Sequence, residues 1–244
     1  MASVSQSFGN FDLSEIEEWD INLTRSVGFA AVDGHDDYDI GSYDVDNPLN
    51  MKISSWLANG SLSALRQSYD ELQSAFATDR KNFRQFSDRS IPAHMRTLTK
   101  RFVKSLGVME YDVGLIADEA HFISNSRHIV TFNITSSPKT MALYNSGDYA
   151  TPLIVLFAAN QTTITHIVLR NSSDNFAFSY RGQNVTLNNT LIANMDIKQV
   201  RNNSTFDFAN FAGDWLKLSP GTSEMLYTGT PCLLTIEYYR RFAA

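Results

Sequence analysis

From residue 140 onward, no stretch of this chain places apolar residues at the three- and four-residue spacing of a helix. Short runs of alternating apolar and polar residues recur instead, at 153–157, 164–169, 176–180, 185–187, 191–192, 215–218 and 233–239. A period of two puts every second side chain on one face of an extended strand. In the last run Leu234, Ile236 and Tyr238 share one face, and Thr235, Glu237 and Tyr239 the other. Turn-prone sequences such as Arg181-Gly182-Gln183-Asn184 separate the runs at the spacing of a β-sandwich. The most specific local signal is Gly213-Asp214-Trp215-Leu216-Lys217-Leu218-Ser219-Pro220-Gly221. It reads as a buried aromatic (Trp215), a short strand through Leu218, and a tight turn. Pro220 presets φ for the first central position of that turn, and Gly221 supplies the positive φ that a type II turn needs at the second.

The front of the chain is built differently. Leu62, Leu65, Tyr69, Leu72 and Phe76 fall on one helical stripe, which predicts a helix over 61–77 with Ser61 as N-cap after an Asn59-Gly60 turn. Strand signals surround it at 51–57, within 101–113 and at 128–134, with Ser124-Asn125-Ser126 as a hairpin turn between strands. Ser136-Ser137-Pro138-Lys139 is the expected boundary, because Pro138 biases its neighbour away from helix and composition shifts there. The expected fold is mainly β: an α+β domain over 1–137 with one helix, then an all-β sandwich over 138–244.

Charge is segregated along the sequence. Asp33, Asp36, Asp37, Asp39, Asp44 and Asp46 crowd the first fifth, while Arg80, Lys81, Arg84, Arg89, Arg96, Lys100, Arg101 and Lys104 concentrate positive charge. The net charge of −6 argues against a general nucleic-acid binder but suits a conduit that DNA passes through. The acidic loop reads first as a solvated loop, and admits three other uses: a cation site, for which the EF-hand spacing and its bidentate Glu are missing; a channel lining; or a contact with the basic segment 80–104 of a neighbouring subunit.

Motifs of chemistry are sparse. Asp118-Glu119-Ala120-His121 spells a helicase box, yet the GxxxxGK[ST] loop that phosphoryl transfer requires is missing. His35, His94, His121, His128 and His166 show no metal-ligand spacing, and Cys232 reads as a small buried hydrophobe. Neither a GxSxG elbow nor facing carboxylates can be assigned, so no enzyme, cofactor or metal is expected. No signal peptide is visible, and the longest apolar run, 152–159, is too short to span a bilayer. Asn-x-Ser/Thr triplets such as Asn184 and Asn203 then read as ordinary turn sequence. Trp19, Trp56 and Trp215 are candidates for sugar stacking, with core or interface anchoring as the blander role.

The order Gly-x-Trp-Leu-x-Leu-x-Pro-Gly followed by a closing strand rich in aromatic and Arg residues resembles the C-terminus of siphophage distal tail proteins. The layout of the front half (early strands, an Asp-rich loop, a helix, a β region closing near Pro138) is similar to that family as well. The resemblance implies a structural virion protein whose N-terminal domains form a ring, with six copies as the expected number, and whose galectin-like sandwiches project outward. Such a ring would be a hub joining the tail tube protein and the end of the tape-measure protein to tail-tip or receptor-binding proteins, and DNA would pass without specific binding. It would be assembled in the host cytoplasm and reside at the tail tip, with no membrane insertion. The alternative is a carbohydrate-binding β-sandwich protein.

Overall fold

The computed structural model describes residues 7–8, 11–12, 20–25, 49–58, 63, 66–67, 69–70, 73–74, 81–84, 88–103, 108–117 and 121–243. They divide into two compact units, one of residues 1–123 with 243–244, the other of 124–242. The Ser137-Pro138 junction, where the sequence suggested a boundary, therefore falls inside the second unit. The reason is pairing: the strand before it, His128–Ile134, joins the sheet of the second unit through Cys232–Tyr238.

The first unit contains β1 (Ser7–Phe8), β2 (Phe11–Asp12), β3 (Asp20–Arg25), β4 (Leu49–Ala58), β5 (Lys81–Arg84), β6 (Arg89–Val103) and β7 (Val108–Ala117). They form an antiparallel sheet in the order β2-β1-β5-β6-β7-β4-β3. The register runs straight across four strands, with Arg25 opposite Leu49, Leu49 opposite Ala117 and Ala117 opposite Ala93. In β7, Met109, Tyr111, Val113, Leu115 and Ala117 are buried on alternate positions, as a one-sided sheet requires. The register of β6 against β7 shifts between Met95 and Thr97, so Arg96 is the extra residue of a bulge. Gly114 faces that bulge; a β-carbon there would lie 2.4 Å from Thr97 Oγ1.

Ser63, Arg66, Gln67, Tyr69, Asp70, Gln73 and Ser74 are helical. Tyr69 is buried whereas the other six are exposed, the division an amphipathic helix produces. The Lys100 ammonium lies 3.9 Å from the centre of the Tyr69 ring and covers it. The remaining stripe residues, Leu62, Leu65, Leu72 and Phe76, lie outside the described residues, as do Ser61 and the Asn59-Gly60 turn.

β8 (Phe122–Ser124) lies where the first unit gives way to the second. The second unit then runs β9 (His128–Ile134), β10 (Lys139–Asn145), β11 (Thr151–Pro152), β12 (Ile154–Ala158), β13 (Ile164–Asn171), β14 (Ala177–Val185), β15 (Thr190–Asn194), β16 (Gln199–Asn202), β17 (Thr205–Phe206), β18 (Phe211–Gly213), β19 (Lys217–Leu218), β20 (Gly221–Gly229), β21 (Cys232–Tyr238) and β22 (Arg241–Phe242). Two antiparallel sheets form a sandwich, ordered β10-β20-β13-β14-β18 and β17-β16-β15-β12-β21-β9. β20 and β21 are consecutive in sequence, yet each stands inside a different sheet.

The core between them is apolar and close-packed. Phe157 from one sheet stacks on Phe178 of the other at 5.8 Å and tilts against Tyr227 at 6.3 Å. All three rings are fully buried, and burial of a large side chain stabilises by about 1.5–3 kcal/mol. Cys232 is a free thiol within this core, 3.4 Å from the Tyr227 hydroxyl, and burial pushes its pKa up.

Two sequence expectations change here. Residues 181–184 are not a turn between strands but part of β14, where Ile164 pairs Val185 and His166 pairs Arg181. One residue of β13 thus faces three of β14, and Gly182 at φ 118 absorbs the distortion. Ser124-Asn125-Ser126 is likewise no hairpin, because β9 pairs with β21 and Ser124 N–H donates to Arg240 O at 2.9 Å.

Gly213 and Gly221 frame the Trp-Pro stretch with φ values of 106 and 88. Replacing either by Ala introduces left-handed strain of about 1–2 kcal/mol. At Gly213 the new β-carbon would also sit 2.1 Å from Ala177 O, whereas at Gly221 no atom lies within 4 Å. Gly213→Ala should therefore lower the urea midpoint well beyond Gly221→Ala, the clash adding roughly 1–3 kcal/mol. Equal midpoints for the two variants would contradict this reading of the stretch.

Candidate functional site

A succession of rings leads from the interior of the second unit to its surface. Phe178 stacks on Phe211 at 5.4 Å, Phe211 meets Trp215 at 4.6 Å, and Phe208 touches both, at 5.4 Å to Phe211 and 5.8 Å to Trp215. Phe208 is 56% exposed and Phe206, two residues earlier, 62%. The Arg201 guanidinium lies 4.2 Å from the centre of the Phe206 ring, its cross-strand partner. Large exposed aromatics cost solubility, so a contiguous group marks an interaction surface.

The loop that presents these rings is pinned from below. Asp207 is buried between the two exposed phenylalanines and accepts a hydrogen bond from the Tyr180 hydroxyl. Asn210 Nδ2 donates to Asp207 Oδ1 at 2.6 Å, and Asn202 Nδ2 donates to the Tyr180 oxygen at 3.2 Å. Main-chain bonds from Asp207 N to Val200 O and from Arg181 N to Asn210 O, at 2.9 and 3.0 Å, tie the loop to β16 and β14. A β-carbon on Gly182 would collide with Asn210 Oδ1 at 2.4 Å. Desolvation, followed by the neighbouring Asp207 carboxylate, pushes the Tyr180 phenol well above its ordinary pKa, so it remains a donor. The group is an anchor holding aromatic side chains at fixed positions, not an acid–base pair poised for chemistry.

At the other end of the six-stranded sheet, Arg127 forms an ion pair with Glu237 at 2.6 Å and donates to the Tyr239 hydroxyl at 3.2 Å. Between these ends the outward positions Ile154, Leu156, Ile192 and Leu233 are partly open. On the other sheet, outward positions such as Thr140, Glu224, Thr228 and Arg170 are exposed and polar. The sandwich thus has one outer face that is mostly polar apart from the exposed Tyr144, and one with an apolar centre and the Arg127–Glu237 pair at one margin.

Of the residues singled out in the sequence, Leu218 is fully buried and pairs with Thr151 across β11 and β19. Pro220 is exposed, and Gly221 opens β20 with its positive φ. Trp215, expected to be buried, is only partly so: it packs against the core and reaches the surface beside Phe208. The turn motif and the aromatic surface are consequently one continuous stretch. His121 is buried and His128 stacks on Tyr238 at 5.4 Å, while His94 and His166 are exposed. Asp33, Asp36, Asp37, Asp39, Asp44 and Asp46, with His35, and Asp118, Glu119 and Ala120 lie outside the described residues, as does the environment of Trp19 and Trp56. Among the described residues, no three His, Cys, Asp or Glu side chains converge as a metal site, and no helix is long and apolar enough to cross a membrane.

The anchor residues Tyr180, Asn202, Asp207 and Asn210 escaped the sequence reading because they arrive from separate elements. The one local signal was Asp207 flanked by Phe206 and Phe208, a carboxylate at the inward position of an alternating triplet.

No family model matches this sequence, and no curated protein matches it. Its fold is nonetheless that of a solved phage protein, and the likeness extends over both chains almost entirely. That structure is SPP1 Dit (gp 19.1), described as a paradigm of the hub adsorption apparatus in phages that infect Gram-positive bacteria. The TM-score is 0.68, identity is 13%, and the match covers 98% of this chain and 98% of that one. The chain therefore has a Dit-like, mainly β fold.

Tyr227 and Tyr238 share the upward pKa shift of Tyr180, each led by burial. Below the ordinary tyrosine pKa of about 10, folded and unfolded states are both protonated and the contribution is complete. Above it the unfolded chain ionises first, so stability should fall as pH climbs past about 10. Tyr180→Phe should flatten that decline. It should also cost about 1–3 kcal/mol at neutral pH, since Asp207 loses a buried donor. Denaturant melts across pH 7–11 read both effects.

Proposed function

We propose that this chain is a structural component of a phage tail tip, a distal tail protein that assembles into a ring, with six copies the expected number. The observation that carries the reading is the fold likeness to SPP1 Dit over 98% of both chains, because a partial match could reflect a common sandwich alone. The described residues add compatible features. The first unit is a broad antiparallel sheet whose edge strands can complete a neighbour's sheet. The second carries a surface suited to holding another protein, with rigidly placed aromatics at one end and a charged margin at the other. Head-to-tail contacts of this kind close into a ring when the rotation per subunit permits.

In this role the protein is a hub. Its ring continues the tail tube and meets the end of the tape-measure protein, and its outer sandwiches hold tail-tip or receptor-binding proteins. It transforms no substrate and resides in the virion after assembly in the host cytoplasm. Purified protein examined by native mass spectrometry and negative-stain imaging should show closed rings of six. A chain that stays single at high concentration and turns over a substrate would overturn the proposal.

The exposed Phe206 and Phe208 beside Trp215 favour one second reading, a saccharide-binding sandwich, since flat rings stack on sugars. A glycan array run on wild type and Phe208→Ala separates the two. Specific binding by a single subunit, lost in the variant, supports the saccharide reading; an inactive array with intact rings supports the hub.

A further inference from the structure

One margin of the sandwich in the second unit is left open. In the six-stranded sheet β9 pairs with β21 alone among the described residues, and its register runs unbroken from His128 opposite Tyr238 to Ile134 opposite Cys232. The other side of this seven-residue strand therefore carries N–H and C=O groups unpaired among the described residues, a template for a further strand. Side-chain burial marks the same opening. Leu234 and Ile236 of β21, Val155 and Phe157 of β12, and Leu191 and Ala193 of β15 are fully buried, whereas Val130 and Phe132 of β9 are only partly so. On the outward side of β9, Ile129 is 59% exposed.

Sheet edges in soluble proteins are blunted by brevity, by charge, by proline or by a bulge. The other three margins of the sandwich carry such devices. β17 has two residues, with the Arg201 guanidinium over Phe206, and β18 has three. β10 opens on Lys139 directly after Pro138. β9 has none of these: His128-Ile129-Val130-Thr131-Phe132-Asn133-Ile134 contains no Lys, Arg, Asp, Glu, Gly or Pro. A neutral run rich in β-branched and aromatic residues is the composition that pairs with its own kind.

We infer that β9 pairs antiparallel with β9 of a second copy of this chain, across a two-fold axis at Thr131, so that their six-stranded sheets join edge to edge. Facing residues of an antiparallel pair lie on one side of the sheet, so the axis must pass through a residue, and Thr131 is the centre that matches all seven. Thr131 then faces its own counterpart, Val130 faces Phe132, Ile129 faces Asn133 and His128 faces Ile134. The two partly open inward residues of each copy thereby cover those of the other, a β-branched side chain against an aromatic one. Because the strand holds no Lys, Arg, Asp or Glu, no like charges meet across the axis. The contact is isologous and lies in the second unit, so it is independent of the head-to-tail ring contacts proposed for the first.

Substitutions at the axis test it. Thr131→Lys and Thr131→Glu each set like charges face to face, and the two variants together set opposite ones. Thermal melting shows that each folds, and native mass spectrometry over a concentration series, with one variant isotopically labelled, reads pairing. Each variant alone should need about ten-fold or more protein than wild type to pair, and an equimolar mixture should recover pairing as mixed pairs. Thr131→Cys should form a disulfide between copies under mild oxidation, because its Cα lies about 5 Å from its counterpart. Asn133→Cys, about 14 Å from its own counterpart, should not, and the native Cys232 is buried in both. Charge variants that pair as readily as wild type, a mixture that fails to recover, or cross-linking of Asn133→Cys as fast as Thr131→Cys overturns the contact. So does a chain that never pairs, which leaves the open edge to a strand of another protein. Ring closure is read in the same spectra as a mass that substitutions at Thr131 leave unchanged, so its failure is distinct from failure of this contact.

Discussion

The constraint on which the second unit depends is the position of its last two long strands. β20 lies between β10 and β13 in one sheet, and β21 lies between β12 and β9 in the other. The short link through Thr230 and Pro231 therefore crosses from sheet to sheet, and Tyr227, just before it, donates its hydroxyl to Thr230 O. Inward residues of β20 and β21, Met225, Tyr227, Cys232, Leu234, Ile236 and Tyr238, make up much of the shared interior. Tyr238 adds a hydrogen bond to Tyr144 O at 2.7 Å, which ties the end of β21 to β10 in the facing sheet. Remove β20 and β10 loses its sheet; remove β21 and β9 loses its own.

How much of this was legible in the sequence follows from the kind of force involved. Two-residue alternation is local, so strands such as Ile154–Ala158, Ile164–Asn171 and Cys232–Tyr238 were read from the side chains themselves. The 181–184 stretch looked like a turn because Gly and Asn dominate it; the pairing of Arg181 with His166 and Val185 with Ile164 overrides that local preference. The Pro138 junction lies inside the second unit for a related reason, since a proline marks a break in the chain but not which sheet the preceding strand joins. Trp215 was expected inside because tryptophan is large and apolar. Phe178 and Phe211 fill that part of the interior first and leave Trp215 at its margin.

The surface was the least legible part. Nothing in the spacing of Tyr180, Asn202, Asp207 and Asn210 announces a common cluster, because the bulge in β14 and the turn before β18 bring them together. Once assembled, the cluster explains why two exposed phenylalanines occupy fixed positions instead of collapsing inward. The carboxylate between them is held under the loop by buried donors, and each ring is braced laterally, one by Arg201 and the other by Phe211 and Trp215. Function of the kind proposed here resides in such placement, in which geometry is stabilised so that another macromolecule finds it already made.

The placement of β20 and β21, each between an early strand and the rest of its sheet, also bears on how the chain is made. A ribosome delivers residues in order, and the two earliest strands of the sandwich, β9 and β10, have no sheet to join until β21 and β20 have emerged, at about residue 238. Nascent β9 and β10 must therefore wait, with their apolar sides unsheltered, for the closing pair to arrive. Chaperone engagement during synthesis, and late rather than stepwise acquisition of protease resistance, are the behaviour this arrangement imposes on the cell that produces it.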